Sequence, residues 1–553
     1  MTREKGSIIS RTDARSSARE SAVMTTNLGT SKRFVNTRRA VWGGARQLAS
    51  VEMARRLARV ALALATLAST ASLVSAGSSR VDPVAPYVVS FPHDDNNATT
   101  FVSELFAAFP AARVFERLRG AALPLRASQA RALRERHPDA IVERDARVAA
   151  QGFRSTRASL DPSVSAQSRR GLHWGLDRVD QRALPLDGRA SRHPHAGAGA
   201  LLYVVDSGVM AAHDDFTGRV VASIHARPSE SPAARARADA AGGDCYGHGT
   251  AVASLAAGAS SGLAPAARIV SVRVLDCAGN GRVSDVVAGL EAVAEHATRE
   301  RARATARAET RGTEETEATE ETEAAFSAAF SVASTGDADA DRTDPSSDRD
   351  GSTRSTFAAL TLSLGVPAGF ASRALDAAVR KLSERHHVAV FVAAGNARGS
   401  ERRGDACRFS PGRSRAAITI GASDRFDRTW SDGMTGRCVD LVAPGVDVPA
   451  ASADGTAAFA EWTGTSMAAP AAAGAALAMG VDTPEEARTA LAAAATRGAL
   501  RDDEDDRRDA SRDKREDVRL AASLPGTPNL LLFHRSPDDA RTKPAAGTNA
   551  AAA

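Results

Sequence analysis

From Trp174 onward the chain alternates two kinds of stretch. Short runs that are apolar at nearly every position, LLYVVDSG, IVSVRVL, ALTLSLG, VAVFVAAGN, ITIGAS and VDLVAPG, are separated by stretches such as SDVVAGLEAVAEH and ASRALDAAVRKLSERH, whose apolar positions recur at helical spacing. Runs without polar alternation predict strands buried on both faces, and the periodic stretches predict helices that cover those faces. The expected fold is α/β, a doubly wound and mainly parallel sheet, over residues 151–535. Residues 77–150 read differently: PYVVSF, a periodic FVSELFAAF and the strand-like AIVERDARVAA predict a small α+β unit ahead of that sheet.

Two segments break the pattern. Residues 299–355 are Arg/Ala-rich, then Glu/Thr-rich, then Asp/Ser-rich, and 501–519 are nearly all charge. Neither offers enough apolar surface to bury, so both are expected to be disordered insertions, and 536–553 a disordered tail. Near the amino terminus, Arg55, Arg56 and Arg59 precede the uncharged VALALATLASTASLVSA, so 53–76 has the basic, apolar and small-residue parts of a signal peptide ending at Ala76. The uncharged stretch from Val60 to Ser79 is barely long enough for a membrane anchor, which stays as an alternative. Residues 1–52 are basic, Ser/Arg-rich and acid-poor, as in an organelle transit segment or a start codon assigned too early. The expected location is secreted or within a secretory lumen, with an organelle lumen or membrane anchoring as alternatives. Export would make Asn97, in Asn-Ala-Thr, a glycosylation acceptor.

Composition narrows the function class. Of 553 residues, 43% are hydrophobic and 25% charged, enough for at least one large core. The net charge of +5 is the small difference between 71 basic and 66 acidic residues; aromatics make up 4%, and the arginines are scattered among acids. That is no nucleic-acid footprint, and no nucleic-acid partner is expected.

Open α/β sheets place their chemistry at the carboxyl ends of the strands. LLYVVDSG ends on Asp206, VAVFVAAGN ends on Asn396, GDCYGHGTAVAS sets His248 between two glycines, and TGTSMAAPAAAG sets Ser466 at the head of a run of small residues. Each alone has a plain reading: a turn aspartate, a loop histidine, a serine that caps a helix. Together they form a complete acyl-transfer set. Ser466 attacks, His248 takes its proton, Asp206 holds the imidazole, and Asn396 with the Ser466 backbone N–H binds the oxyanion. No cofactor is required for that chemistry.

The order Asp, His, Ser and the motifs WGLDRVDQ, VVDSGV, GHGT, SVRVLDCAGNG, SLG, AAGN, GASDRFDR, VAPG, GTSMAAP and GTPNLLLF together resemble the subtilisin family of serine proteases, nearest to the proteinase K group. The unit before them resembles that family's inhibitory propeptide. The resemblance implies a self-processing endopeptidase of broad specificity that acts on polypeptides as a monomer, with its own propeptide as intramolecular inhibitor. It implies that Ser363, Leu364 and Gly365, with Gly279, Asn280 and Gly281, form two groove edges that pair with an extended peptide, and that Val283 borders a more distant pocket. Two histidines usual in the family are replaced, by Ala251 and Ala471. The four cysteines allow three pairings, and the resemblance favours Cys245 with Cys277 and Cys407 with Cys438; a free thiol near His248 is the alternative. It further implies a structural calcium held by the Asp440 carboxylate and the carbonyls of Arg415 and Ala417. A catalytically silent relative, acting as a binding or chaperone-like module, is the rival reading.

Overall fold

The computed structural model describes residues 82–91, 109–154, 173–192, 195–227, 230–330, 357–366, 371–397, 404–501 and 526–534. The expected signal segment, the residues before it, Asn97, the charged run beyond Arg501 and the tail 536–553 lie outside the described residues.

Val84–Ser90 (β1), Arg113–Phe115 (β2), Gly120–Arg126 (β3) and Ile141–Arg144 (β4) form an antiparallel sheet in the order β2-β3-β1-β4, backed by helix Ala127–Arg136 (α1). Successive side chains of a strand face opposite ways. Tyr87 and Val89 therefore pack towards Ala130 of α1, while Val88 joins Phe115, Leu118 and Ile141 against the larger body of the protein. Arg147–Ala150 (β5) and Phe153–Arg154 (β6) continue the chain away from this small sheet.

After helix Trp174–Asp180 (α2), strand and helix alternate. The order is Leu201–Asp206 (β7), Val220–His225 (β8), Pro232–Ala240 (α3), His248–Ala257 (α4), Arg268–Arg273 (β9), Asn280–Arg282 (β10) and Val283–Phe330 (α5). Ala358–Leu362 (β11), Leu364–Gly365 (β12), Arg373–His386 (α6), Val388–Ala393 (β13), Ile418–Ser423 (β14) and Leu441–Pro444 (β15) follow. Val448–Ala451 (β16), Phe459–Thr463 (β17), Thr465–Met479 (α7), Pro484–Ala494 (α8), Thr496–Arg497 (β18) and Leu530–Leu531 (β19) complete it. Among the described residues the central sheet has nine strands in the order β18-β19-β15-β14-β13-β11-β7-β9-β8, parallel from β8 through β19.

The two faces of that sheet are two hydrophobic layers. Leu202 and Val204 of β7 pack with α4 and α7, whereas Leu201, Tyr203 and Val205 pack with α5 and α6; Ala389 and Phe391 of β13 take the first side, Val388, Val390 and Val392 the second. This is why the strands read as unbroken apolar runs. The α4–α7 layer is built from small residues, and a Cβ on Gly474 would lie 2.4 Å from the Ala256 carbonyl oxygen, so only glycine admits the approach of the two helices. Ala251 and Ala471 are buried in that layer.

The small sheet docks on the α5–α6 layer through polar anchors at helix ends. Asp145 accepts from Ser284 N (2.9 Å) at the start of α5. Glu143 accepts from Arg373 N (3.1 Å) and Ala374 N (3.3 Å) at the start of α6. Carboxylates there satisfy free helix N–H groups and meet the positive end of the dipole. In return Glu291 of α5 accepts from Arg117 N (2.8 Å) and Leu118 N (2.9 Å), and buried Lys381 of α6 donates to Leu118 O (2.7 Å).

One expectation is corrected. Residues 299–355 do not begin as a disordered insertion, because α5 runs on without a break to Phe330. The Arg/Ala/Glu composition that denies this stretch a core is also strongly helix-forming, and it carries pairs one turn apart, Arg299 with Glu295 (2.9 Å) and Arg303 with Glu300 (2.7 Å). Residues 331–355 lie outside the described residues.

Candidate active site

Asp206 ends β7, Asn396 follows β13, and His248 and Ser466 open α4 and α7, so all four meet at the carboxyl ends of the parallel strands. His248 Nδ1 lies 2.8 Å from Asp206 Oδ1, which also accepts from Ser207 N (2.7 Å). Both side chains are buried. A buried carboxylate facing Nδ1 selects the tautomer with its proton there, which leaves Nε2 free to accept. Trp462 packs against the imidazole in a T-shaped contact, centroids 5.9 Å apart. The loop before His248 is fixed by Asp244, whose carboxylate accepts from Ser207 Oγ (2.9 Å), Gly247 N (2.8 Å) and Thr250 N (2.9 Å).

Pro470 shapes the nucleophile's helix. A proline inside a helix leaves the carbonyl four residues earlier without its N–H partner. Here that carbonyl belongs to Ser466, and Ser363 Oγ donates to it instead (2.9 Å), while Ser466 Oγ donates to Ser363 O (2.9 Å). The groove edge and the nucleophile are thus clasped residue to residue. On the other side, Thr465 N (3.2 Å) and Thr465 Oγ1 (2.7 Å) donate to Asn396 Oδ1, which orients the Asn396 amide with its N–H₂ facing the groove.

The groove is filled by the chain itself. β5 lies between β10 and β12 as the middle strand of an antiparallel sheet, Ala149 opposite Asn280 and Gly365, Val148 opposite Gly281, and Ala150 opposite Leu364. Ala150 N donates to Gly279 O (3.0 Å) and Gln151 N to Ser363 O (3.1 Å). Val148 is buried in the same apolar cluster as Val283. Asn396 Nδ2 (2.7 Å) and Ser466 N (3.2 Å) both donate to Gln151 O. The next residue, Gly152, sits so close that a Cβ there would lie 3.0 Å from His248 Nε2 and 3.1 Å from Ser466 Cβ. Beyond it β6 pairs with β17, Phe153 opposite Thr463 and Arg154 opposite Trp462, and Arg154 forms an ion pair with Asp454. The carbonyl held by the two donors is therefore that of Gln151, one residue past the expected boundary at Ala150. The Gln151 side chain is accommodated by Asn396 N, which donates to its Oε1 (3.2 Å), and by Ala149 O, which accepts from its Nε2 (3.3 Å).

The remaining expected positions fall into two groups. Cys245 is bonded to Cys277 and Cys407 to Cys438, Cα atoms 5.0 and 5.2 Å apart, so no free thiol lies near His248. Asp440, Arg415 and Ala417 do converge, at the entering ends of β14 and β15, but a guanidinium lies among them. Arg488 of α8 donates from Nη1 to Asp440 and from Nη2 to Arg415 O (2.9 Å) and Ala417 O (2.6 Å). These residues do not offer calcium an open set of oxygens.

Several participants carry no strong sequence signal. Trp462 acts through geometry that only the folded chain creates, and so does the bond from Ser466 Oγ to the carbonyl of Ser363, a residue expected only as a groove edge. Asp244 was legible in principle, since an acid just ahead of a helix is a capping signal. Gln151 is recognisable only from the strand register.

An acid-held imidazole beside a buried serine, with paired N–H donors on a peptide carbonyl, defines the architecture of a serine-nucleophile hydrolase. Residues 197–515, more than half of the chain, match the subtilase family. The chain belongs to that family. It is 36% identical over 303 residues to an extracellular serine proteinase of Thermus sp. (strain Rt41A), covering 55% of each chain. It is 33% identical over 317 residues to alkaline serine exoprotease A of Vibrio alginolyticus, covering 57% of this chain and 45% of that one. The chain thus spans about half the length of these curated relatives. The solved structure of a cold-adapted subtilisin-like serine proteinase aligns at 29% identity over 65% of this chain and 97% of its own, with a TM-score of 0.44.

Proposed function

We propose that this chain is a self-processing serine endopeptidase of broad specificity, whose first substrate is its own Gln151–Gly152 bond. The observation that carries this reading is the Gln151 carbonyl held by Asn396 Nδ2 and Ser466 N, with Gly152 against the Ser466 and His248 side chains. Ser466 Oγ turns from Ser363 O towards His248 Nε2, gives up its proton there and bonds to the Gln151 carbonyl carbon. The negative charge that forms on the oxygen is met by the two donors already in place, and Asp206 stabilises the imidazolium. Collapse breaks the C–N bond, and His248 passes the proton to the departing Gly152 nitrogen. Water, deprotonated by His248, then releases Gln151 as a carboxylate. Residues up to Gln151 remain paired in β5 as an inhibitory product.

Strand pairing on both sides of the bond, by β5 and by β6, supports cleavage within a chain rather than at its end. Because most of these contacts are backbone to backbone, many side-chain sequences are accommodated, which supports broad specificity on polypeptides. Two disulfides among the described residues and the name of the Thermus relative support export. No helix among the described residues is long and apolar enough to cross a membrane.

Cell-free expression without added protease tests the reading. The wild-type chain should yield a product beginning at Gly152 that labels with a fluorophosphonate, and Ser466→Ala should stay uncut and unlabelled. Equal processing of both chains would favour a silent relative cut by an outside protease.

A further inference from the structure

The cluster formed by Asp440, Arg415, Ala417 and Arg488 lies at the opposite end of the parallel sheet from Ser466. Arg415 and Ala417 immediately precede β14, and Asp440 immediately precedes β15, so two adjacent strands present two carbonyls and a carboxylate to one point. Such a set, two neutral oxygens and one charged, suits a cation. Asp440 is held in place independently: Thr419 N donates to its Oδ2 (2.7 Å) and its own N donates to Thr419 O (2.8 Å). The oxygens are thus preorganised by the sheet and need something positive between them.

We infer that Arg488 is the resident cation of this site, a tethered guanidinium in place of the free calcium that the resemblance implies, so that α8 is pinned to β14 and β15 without metal. Three features carry the inference. Arg488 engages all three oxygens, one amino group on Asp440 and the other on both carbonyls. A planar fork with several fixed donors is the side chain best matched to that task. Calcium needs the same oxygens and several more to reach its usual six to eight, at distances that the intervening N–H groups deny it. The link also runs from one element to two others, since Arg488 is on the helix and its acceptors are on the strands' entering ends. A tethered ion cannot be diluted or chelated, whereas a free one leaves by mass action.

Arg488→Ala should convert the site from an arginine site to a calcium site, because it removes the guanidinium and leaves the oxygens in place. The test uses the full chain carrying Ser466→Ala, so that autolysis does not enter. Melting temperature and bound calcium are measured in EDTA and in millimolar calcium. The parent chain should melt at the same temperature in both buffers. With Arg488→Ala added, melting in EDTA should fall by about 2–5 °C, and calcium should restore most of that fall with about one further ion bound per chain. If Arg488→Ala does not fold, Arg488→Met, which keeps the apolar stem, is read in the same two buffers. The inference is overturned by a parent chain whose melting falls in EDTA and recovers in calcium, with that response abolished by Asp440→Asn. It is equally overturned by an arginine variant that shows no calcium response.

Discussion

Replacing Asn396 by alanine isolates one half of the oxyanion site. Two donors reach the Gln151 carbonyl oxygen, Asn396 Nδ2 at 2.7 Å and Ser466 N at 3.2 Å, so the bond from the amide is the shorter of the two. Both are in position before charge develops, Ser466 buried and Asn396 partly so, where such a bond is worth more than in open water. Its loss should slow self-cleavage by about 10²–10³-fold, equivalent to roughly 3–4 kcal/mol of transition-state stabilisation. The first-order disappearance of the uncut chain in a cell-free time course measures this directly. Asn396 also accepts from Thr465 through Oδ1, so a purely structural role in seating α7 has to be separated from donation. Asn396→Asp separates them, because it keeps the acceptor for Thr465 and replaces the donor with a charge that repels the oxyanion. The aspartate chain should cut no faster than the alanine chain. If Asn396→Ala stays within about tenfold of wild type, or if the aspartate restores cutting, the oxyanion assignment is wrong, since donors of this kind are worth far more than a factor of ten.

Three further outcomes follow from other parts of the structure. Val148→Asp should slow cleavage at Gln151, because it puts a carboxylate into the apolar cluster that holds Val283; unchanged processing kinetics would remove that pocket from substrate docking. Replacing Cys245 and Cys277 together by alanine opens a loop of 32 residues and should cost about 3–4 kcal/mol in urea unfolding; a loss below about 1 kcal/mol would place the constraint elsewhere. Burial drives the His173 pKa from 6.5 down to about 4, so the folded chain keeps it neutral while the unfolded chain takes up a proton. Stability is then unaffected above pH 6.5 and falls as pH drops towards 4, by up to about 3 kcal/mol. His173→Leu should flatten that acid limb, and an equal acid slope in both chains would refute the assignment.

Much of this architecture can be read without coordinates, for identifiable reasons. Asp206, His248, Asn396 and Ser466 stand in short motifs whose neighbours are small, and strands such as LLYVVDSG end where an open sheet puts its chemistry. The parallel sheet is legible because burial on both faces erases alternation. What escapes the sequence depends on register or on long-range convergence. The sequence puts the end of the small unit at Ala150, whereas strand pairing sets the Gln151 carbonyl on Asn396 and Ser466. Arg488 reads as an ordinary helix residue in PEEARTAL, because nothing local shows that its guanidinium reaches carbonyls more than seventy residues away. Residues 299–330 differ for another reason: they lack an apolar face, yet Arg, Ala and Glu favour the helix by their own propensity.

The junction reaches Ser466 as part of the same molecule, and this frees its sequence from the selection that acts on ordinary substrates. A peptide in solution must find the groove at its own concentration, whereas a tethered one is presented at an effective concentration of order millimolar or more. On the proposed reading, a junction delivered in this way is cut even when its side chains fit poorly. Gln151 and Gly152 would then record what the fold can hold in place, and any side-chain preference towards other polypeptides would be free to differ from them. On that reading, drift at Gln151 would leave the first cut intact as long as β5 kept its pairing, whereas Gly152 stays fixed by the closeness of His248 and Ser466, so the two sides of the bond are free to change to different degrees.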